Sequence, residues 1–204
     1  MIIKAYQDAP SPKVIAQITD VIAEGGVVVY PTDTVYSFGC SIHHPKAIER
    51  IAKIKAVNAK KYQFTLVFDS ISHITQYTKA VDNRIFKLLK KHLPGAFTFV
   101  LDSNNNLPKF LRTNSKTIGV RIPNNNISLE IVSLLGEPII STSVYDVNQM
   151  IEYTTDPELI HEKYGSLVDL VVDGGYGNID ASTVVDCTKG EIEIIRQGMG
   201  QLEY

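Results

Sequence analysis

The stretch SPKVIAQITDVIAEGGVVVY, residues 11–30, reads as a helix followed at once by a strand. Val14, Ile15, Ile18, Val21 and Ile22 recur at three and four residues, which gathers them on one helical face. Ser11 stands at the cap, Pro12 fits the first helical position, and Gly25-Gly26 stops the helix. The run Val27-Val28-Val29-Tyr30 is too short and too β-branched to start another helix; its unbroken apolar character is that of a strand buried on both faces.

The same alternation continues along the chain. Pro45 opens a second helix with Ala47, Ile48, Ile51 and Ile54 on its apolar face, and residues 64–68 read as a strand. Asp82 caps a helix carrying Ile85, Phe86, Leu88 and Leu89 until Pro94-Gly95 ends it. Residues 97–101, 117–122 and 139–143 are strands, and a helix over 129–135 is closed by Gly136. Thr155 or Asp156 caps another helix with Pro157 at its start, and 168–172, 183–185 and 192–195 complete the sheet. The predicted fold class is α/β: one domain over residues 1–204, with a large twisted mixed open sheet flanked by helices.

Composition agrees with a self-sufficient core. At 204 residues and 44% hydrophobic content, the chain needs neither metal nor disulfide staples, which excludes disorder and a cystine scaffold. Cys40 and Cys187 lie far apart in no CxxC or CxxH pattern and read as two reduced thiols. No stretch approaches the ~20 apolar residues of a membrane span, so a soluble, cytoplasmic protein without a membrane partner is expected. His43 and His44 are adjacent and point different ways, and no metal site is assigned. Walker, dinucleotide-binding, nucleophile-elbow and HExxH patterns do not occur.

Five segments carry candidate chemistry. Tyr30-Pro31-Thr32-Asp33-Thr34-Val35-Tyr36-Ser37-Phe38-Gly39-Cys40 follows a buried strand, where α/β sheets bind ligands; it reads either as a hydroxyl-rich ligand loop or as a self-satisfied turn. Arg50, Lys53, Lys55, Lys60 and Lys61 form a basic run that suits phosphate or a solvated face. Arg121 alternates with apolar neighbours in KTIGVRIP, so its charge needs a partner, an internal acid or a ligand oxyanion. Ser141-Thr142-Ser143 and Ser182-Thr183 end strands, and the Gly174-Gly175-Tyr176-Gly177 loop offers amides to an anion or simply makes a turn. Arg196 stands near the end of the last strand.

In this order and spacing the segments resemble the YrdC/YciO family. Tyr30-Pro31-Thr32-Asp33-Thr34-Val35-Tyr36 resembles its Pro-Thr-(Glu/Asp)-Thr-x-Tyr signature, and Leu93-Pro94-Gly95-Ala96-Phe97-Thr98 its Pro-Gly-x-x-Thr segment. Val120-Arg121-Ile122-Pro123, Ser141-Thr142-Ser143, Ser182-Thr183-Val184-Val185-Asp186 and Arg196-Gln197-Gly198 follow, so the match spans nearly the whole chain. The resemblance implies threonylcarbamoyl-AMP synthesis from threonine, bicarbonate and ATP, with Mg2+ assisting, for tRNA modification. It further implies threonine-side positions at Thr34, Tyr36, Arg121, Ser182 and Thr183, and nucleotide-side positions at Lys55, Thr98, Ser141, Ser143 and Arg196. No catalytic residue is named, since such chemistry rests on positioning and charge neutralisation.

Three departures set the chain nearer the YciO branch. Val57 stands where the synthases carry Arg, Val144-Tyr145 where they carry Ala-Asn, and Ser37 where Gly is usual. Loss of one charge-assisted phosphate contact costs about 1.5 to 3 kcal/mol. The alternative for this branch is a protein that binds double-stranded RNA, tRNA or a nucleotide without ligating anything.

The formal charge of -2 conceals a polarity. Residues 1–45, 46–121 and 122–204 carry net charges of -2, +11 and -11, so a polyanion-binding face is expected if the middle segment, with Lys55, Arg121 and the Lys87, Lys90 and Lys91 helix, folds onto one side.

Overall fold

The computed structural model describes residues 1–59, 62–111, 116–144, 151–188 and 190–204. Lys60, Lys61 and Tyr145 lie outside the described residues. The elements run β1 (Ile2–Lys4), α1 (Pro12–Ala23), β2 (Val28–Tyr30), β3 (Ser37–Ser41), α2 (Pro45–Ile54), β4 (Thr65–Val67) and α3 (Ile71–Thr75). They continue with α4 (Asn83–His92), β5 (Phe97–Asp102), β6 (Thr117–Arg121), α5 (Asn126–Leu135), β7 (Ile139–Ser143) and α6 (Glu152–Thr155). The chain closes with α7 (Pro157–Tyr164), β8 (Leu170–Asp173), β9 (Thr183–Asp186) and β10 (Glu193–Arg196).

Local chemistry sets the helix ends. Asp82, Asn125 and Asp156 each accept a backbone N–H of the first turn, from Ile85, Ser128 and Glu158. Ser11 occupies the cap position of α1 but makes no side-chain cap bond, and Pro12 sets the first turn. Gly136 takes φ 73° to end α5, a conformation that costs other residues a steric clash.

The strands form one ten-stranded sheet in the order β1-β8-β2-β3-β7-β4-β6-β5-β9-β10. It is mixed, as expected: β1/β8, β8/β2, β4/β6 and β5/β9 are parallel, and the other pairs antiparallel. Against one face pack α2, α4 and α7, where Ile48, Ile51, Leu88, Leu89 and Ile160 meet Phe38, Leu66, Phe99 and Val120. Against the other face, over β2, β8 and the adjoining ends of β4 and β7, pack α1 and α5. Ile18 and Ile22 of α1 are fully buried there, each contributing roughly 1.5–3 kcal/mol.

Two expectations are corrected. Residues 37–41, read as part of a loop, are a central strand with all five residues buried between β2 and β7. Ser, Gly and Cys carry little strand signal of their own, and pairing on both sides supplies it. The basic helix α4 packs on the face opposite α1 and α5, so Lys87, Lys90 and Lys91 do not join Arg121 on one surface.

Candidate functional site

The face covered by α1 and α5 at one end opens at the other into a cavity of about 270 Å3 over β3, β7, β4, β6, β5 and β9. Strand alternation decides what lines it, because every second residue faces that side. From β3 and β7 come Ser37 and Ser143, which are register partners, and Ser141, which pairs with Gly39. Thr65 of β4 sits between Ser141 and Gly119, and Gly119 and Arg121 face inward from β6. Thr98 and Val100 of β5, with Ser182 and Val184, close the far wall, and Arg196 stands at its edge. The site therefore lies on the open sheet face, not beyond the strand ends where the sequence placed it.

Hydroxyls pair within this lining and just behind it. Thr98 Oγ1 and Ser182 Oγ are 2.8 Å apart, Tyr62 Oη and Thr142 Oγ1 2.9 Å apart, and Tyr30 Oη donates to Ser141 Oγ at 2.8 Å. Arg196 Nη2 donates to the Ser182 carbonyl at 2.7 Å, fixing the guanidinium against the far wall. Desolvation lowers the Arg196 pKa below its ordinary value, Tyr62 opposes that effect, and the positive charge of Arg121 adds to it.

Arg121 is the most constrained cation of the site. Only 6% exposed, it donates through Nη2 to Thr34 Oγ1 at 2.7 Å, to Asp33 Oδ1, and to Thr32 Oγ1 at 3.4 Å. Its Nε is buried with no hydrogen-bond partner. An unmade hydrogen bond on a buried charged group costs about 1–3 kcal/mol or more, so the Arg121 side chain keeps donor capacity that the fold does not use. The internal acid and the ligand oxyanion, both open in the sequence, are thus compatible: Asp33 takes one nitrogen and leaves the fork incomplete.

Of the ten residues implied by the resemblance, Thr98, Arg121, Ser141, Ser143, Ser182 and Arg196 line the one cavity. Thr34 is fully buried behind Arg121. Tyr36 is buried too, its hydroxyl receiving the Gly174 N–H at 3.0 Å and donating to the Gly175 carbonyl at 2.6 Å. Thr183 faces away from the cavity: it donates to the Gly200 carbonyl at 2.6 Å and receives the Gly198 N–H at 2.9 Å, clipping down the C-terminal segment. Lys55 is the C-cap of α2, half-buried and outside the cavity lining.

The three glycine amides of the irregular loop at 174–177 are all taken up within the protein. Besides the Gly174 N–H, the Gly175 N–H goes to Asp173 Oδ1 at 2.9 Å and the Gly177 N–H to the Thr155 carbonyl at 2.8 Å. Glycine is required at 174 because a Cβ there would lie 2.6 Å from Pro31 Cγ. Among the departures, Ser37 lines the cavity, whereas Val57 is partly buried against the hydrophobic core. Tyr62, Thr65 and Gly119 were not singled out from sequence, although the period-two alternation of β6 places Gly119 on the same side as Arg121.

Among the described residues no three His, Cys, Asp or Glu side chains gather to hold a metal ion, and Asp33, beside the cavity, is committed to Arg121. His43 pairs with Glu137, and His44 Nε2 lies 3.0 Å from the Ala23 carbonyl. No helix is long and apolar enough to cross a membrane.

The family model of the Sua5/YciO/YrdC proteins, described as "Telomere recombination", matches residues 20–198. The crystal structure of YciO from Escherichia coli superposes with a TM-score of 0.92 at 36% identity, covering 100% of this chain and 98% of that one. The Sua5 of Pyrococcus abyssi, crystallised with L-threonine, superposes with a TM-score of 0.86 at 26% identity over 97% of this chain and 57% of its own. A threonylcarbamoyl-AMP synthase of Pseudoalteromonas translucida is 29% identical over 185 residues, covering 87% of this chain and 95% of its own.

Proposed function

The chain belongs to the Sua5/YciO/YrdC family, and from that premise we propose that its hydroxyl-lined cavity binds ATP and L-threonine and forms L-threonylcarbamoyladenylate with bicarbonate, as a donor for tRNA threonylcarbamoyladenosine. One observation carries this reading: Arg121, buried and held by Asp33 and Thr34, lines a cavity on which Thr98, Ser141, Ser143, Ser182 and Arg196 converge. Such a site suits anionic oxygens, and few other ligands repay a buried guanidinium.

In this reading Arg121 and Ser182 take the threonine carboxylate or the adjoining phosphate oxygen. Thr34 acts through Arg121, and Tyr36 and Thr183 shape the site from behind by holding the Gly174–Gly175 turn and the C-terminal segment. Ser141, Ser143, Thr98 and Arg196 contact the nucleotide, and Lys55 reaches its phosphates from the end of α2. The threonine amine attacks bicarbonate with loss of water, giving a carbamate. A carbamate oxygen then attacks the α-phosphorus of ATP, and the bond to the bridging oxygen of the β-phosphate breaks to release pyrophosphate. The protein supplies alignment and charge neutralisation for this in-line displacement at the α-phosphorus. Among the described residues no side-chain cluster fits a resident Mg2+, and the ion enters as the counterion of ATP, part of the substrate.

The test is pyrophosphate release from ATP dependent on both threonine and bicarbonate, with the Pseudoalteromonas enzyme as positive control. Release above background supports the proposal; none at micromolar enzyme, with the control active, rejects it.

A further inference from the structure

We propose that Tyr30 is a positioning residue that fixes Ser141 as a hydrogen-bond donor toward an anionic ligand oxygen in the cavity. The inference rests on the nucleotide reading of that site and adds a residue to it. Tyr30 is the last residue of β2, fully buried, and does not line the cavity. Its ring lies across Gly39 of β3, where a Cβ would approach Tyr30 Cε1 to 2.7 Å, and this passage brings the phenol to Ser141 Oγ at 2.8 Å. Glycine on the intervening strand is therefore what allows a side chain from β2 to reach β7.

The direction of that bond matters. A phenol is a stronger acid than an aliphatic alcohol and so the better donor of the pair, and burial pushes Tyr30 up to about 12, which keeps it protonated. With one lone pair of Ser141 occupied by the phenol proton, the hydroxyl proton of Ser141 points to the remaining space, which is the cavity it lines. A donor held this way favours phosphate or carboxylate oxygen over an amine or amide N–H. The preorganisation lowers the ordering cost when the ligand binds.

The experiment is a double-mutant cycle read by calorimetric titration of AMP and ATP, with Tm measured alongside. Wild type, Tyr30→Phe, Ser141→Ala and the double variant are compared. Each single variant is expected to weaken nucleotide affinity about tenfold, the value of one well-placed hydrogen bond. In the Ser141→Ala background, Tyr30→Phe is expected to change affinity less than twofold. A purely structural Tyr30 predicts the same loss in both backgrounds, and that result overturns the inference, as does wild-type affinity in Tyr30→Phe. If Tyr30→Phe does not fold, Ser141→Cys, slightly larger and weaker both as acceptor from the phenol and as donor to the ligand, must show the loss; wild-type affinity there overturns the inference as well. A wild-type protein that binds neither AMP nor ATP rejects the parent reading and this inference with it, an outcome distinct from normal wild-type binding with an indifferent Tyr30→Phe.

Discussion

Arg121 and Thr34, 87 residues apart in the chain, meet through a 2.7 Å bond from Nη2 to Oγ1 that joins the end of β6 to the turn between β2 and β3. The same nitrogen reaches Asp33, so a single guanidinium that also lines the cavity fastens the signature turn to the sheet. The turn and the site are thereby coupled, because a change at either end alters both.

Replacing Arg121 with Lys keeps the charge and loses the planar fork, since one ammonium cannot serve Asp33, Thr34 and a ligand together. Affinity for ATP or threonine is expected to fall roughly tenfold to a hundredfold. Arg121→Ala also strands the Asp33 carboxylate, which is 12% exposed, and should cost roughly 3–5 kcal/mol in denaturant unfolding. Titration calorimetry and urea melts check the two effects separately, and unchanged affinity in Arg121→Lys would remove Arg121 from the binding site.

Gly39→Ala inserts a methyl group against the Tyr30 ring at 2.7 Å, inside a central strand where neither side has room to give. Overpacking of this kind costs about 1–3 kcal/mol. Thermal unfolding should shift down by several degrees. A Tm equal to wild type would show that the ring moves aside freely.

Stability should fall at alkaline pH for a defined reason. Burial raises the Tyr30 hydroxyl and the Cys40 and Cys187 thiols to about 12, against ordinary values of 10.0 and 9.0, and raises Tyr36 as well. All four are neutral when protonated, so the folded chain keeps protons that the unfolded chain gives up. Their contribution is complete below about pH 9 and is lost as pH rises through the folded values near 12. A Tm profile from pH 7 to 11 should be level at first and then descend; a level profile to pH 11 contradicts the assignment. For the same reason neither thiol should react with Ellman's reagent in the native protein at pH 8.

Reversing the charge of Lys87, Lys90 and Lys91 together should leave nucleotide affinity within twofold at physiological salt. The helix and the cavity are on opposite faces of the sheet, so the lysine ammonium groups stand in solvent on the side away from the ligand, where salt screens them. Any affinity for tRNA that depends on these lysines should drop in the same variant and fall steeply with added salt. A large loss of ATP binding in the triple variant would overturn the two-face arrangement.

Much of the fold is legible because its signals are local. The helix-strand unit of residues 11–30 appears as α1 and β2 within a residue or two, and β7 matches its expected bounds, since periodicity and glycine stops act within one or two turns of chain. β3 was missed because Ser37, Gly39 and Cys40 are strand residues only when β2 and β7 flank them. For the 174–177 loop the sequence leaves an anion cradle and a plain turn both open, because glycines are visible in sequence whereas the acceptors that occupy their amides, among them Tyr36 Oη and the Thr155 carbonyl, come from elsewhere.

The sequence by itself determined the fold class, through short-range pattern, and the family, through the resemblance of its motifs, and it named most of the hydroxyl and cationic side chains of the candidate site. Only the tertiary structure decided which members of that set face one another. Adjacent strand residues point to opposite faces, so Ser182 enters the cavity while Thr183 clips the C-terminal segment, and Arg121 enters while Val120 joins the core. The same rule separated the basic α4 from the site, because a sheet divides its neighbours into two sides and charge counted along the chain does not record which side each helix takes.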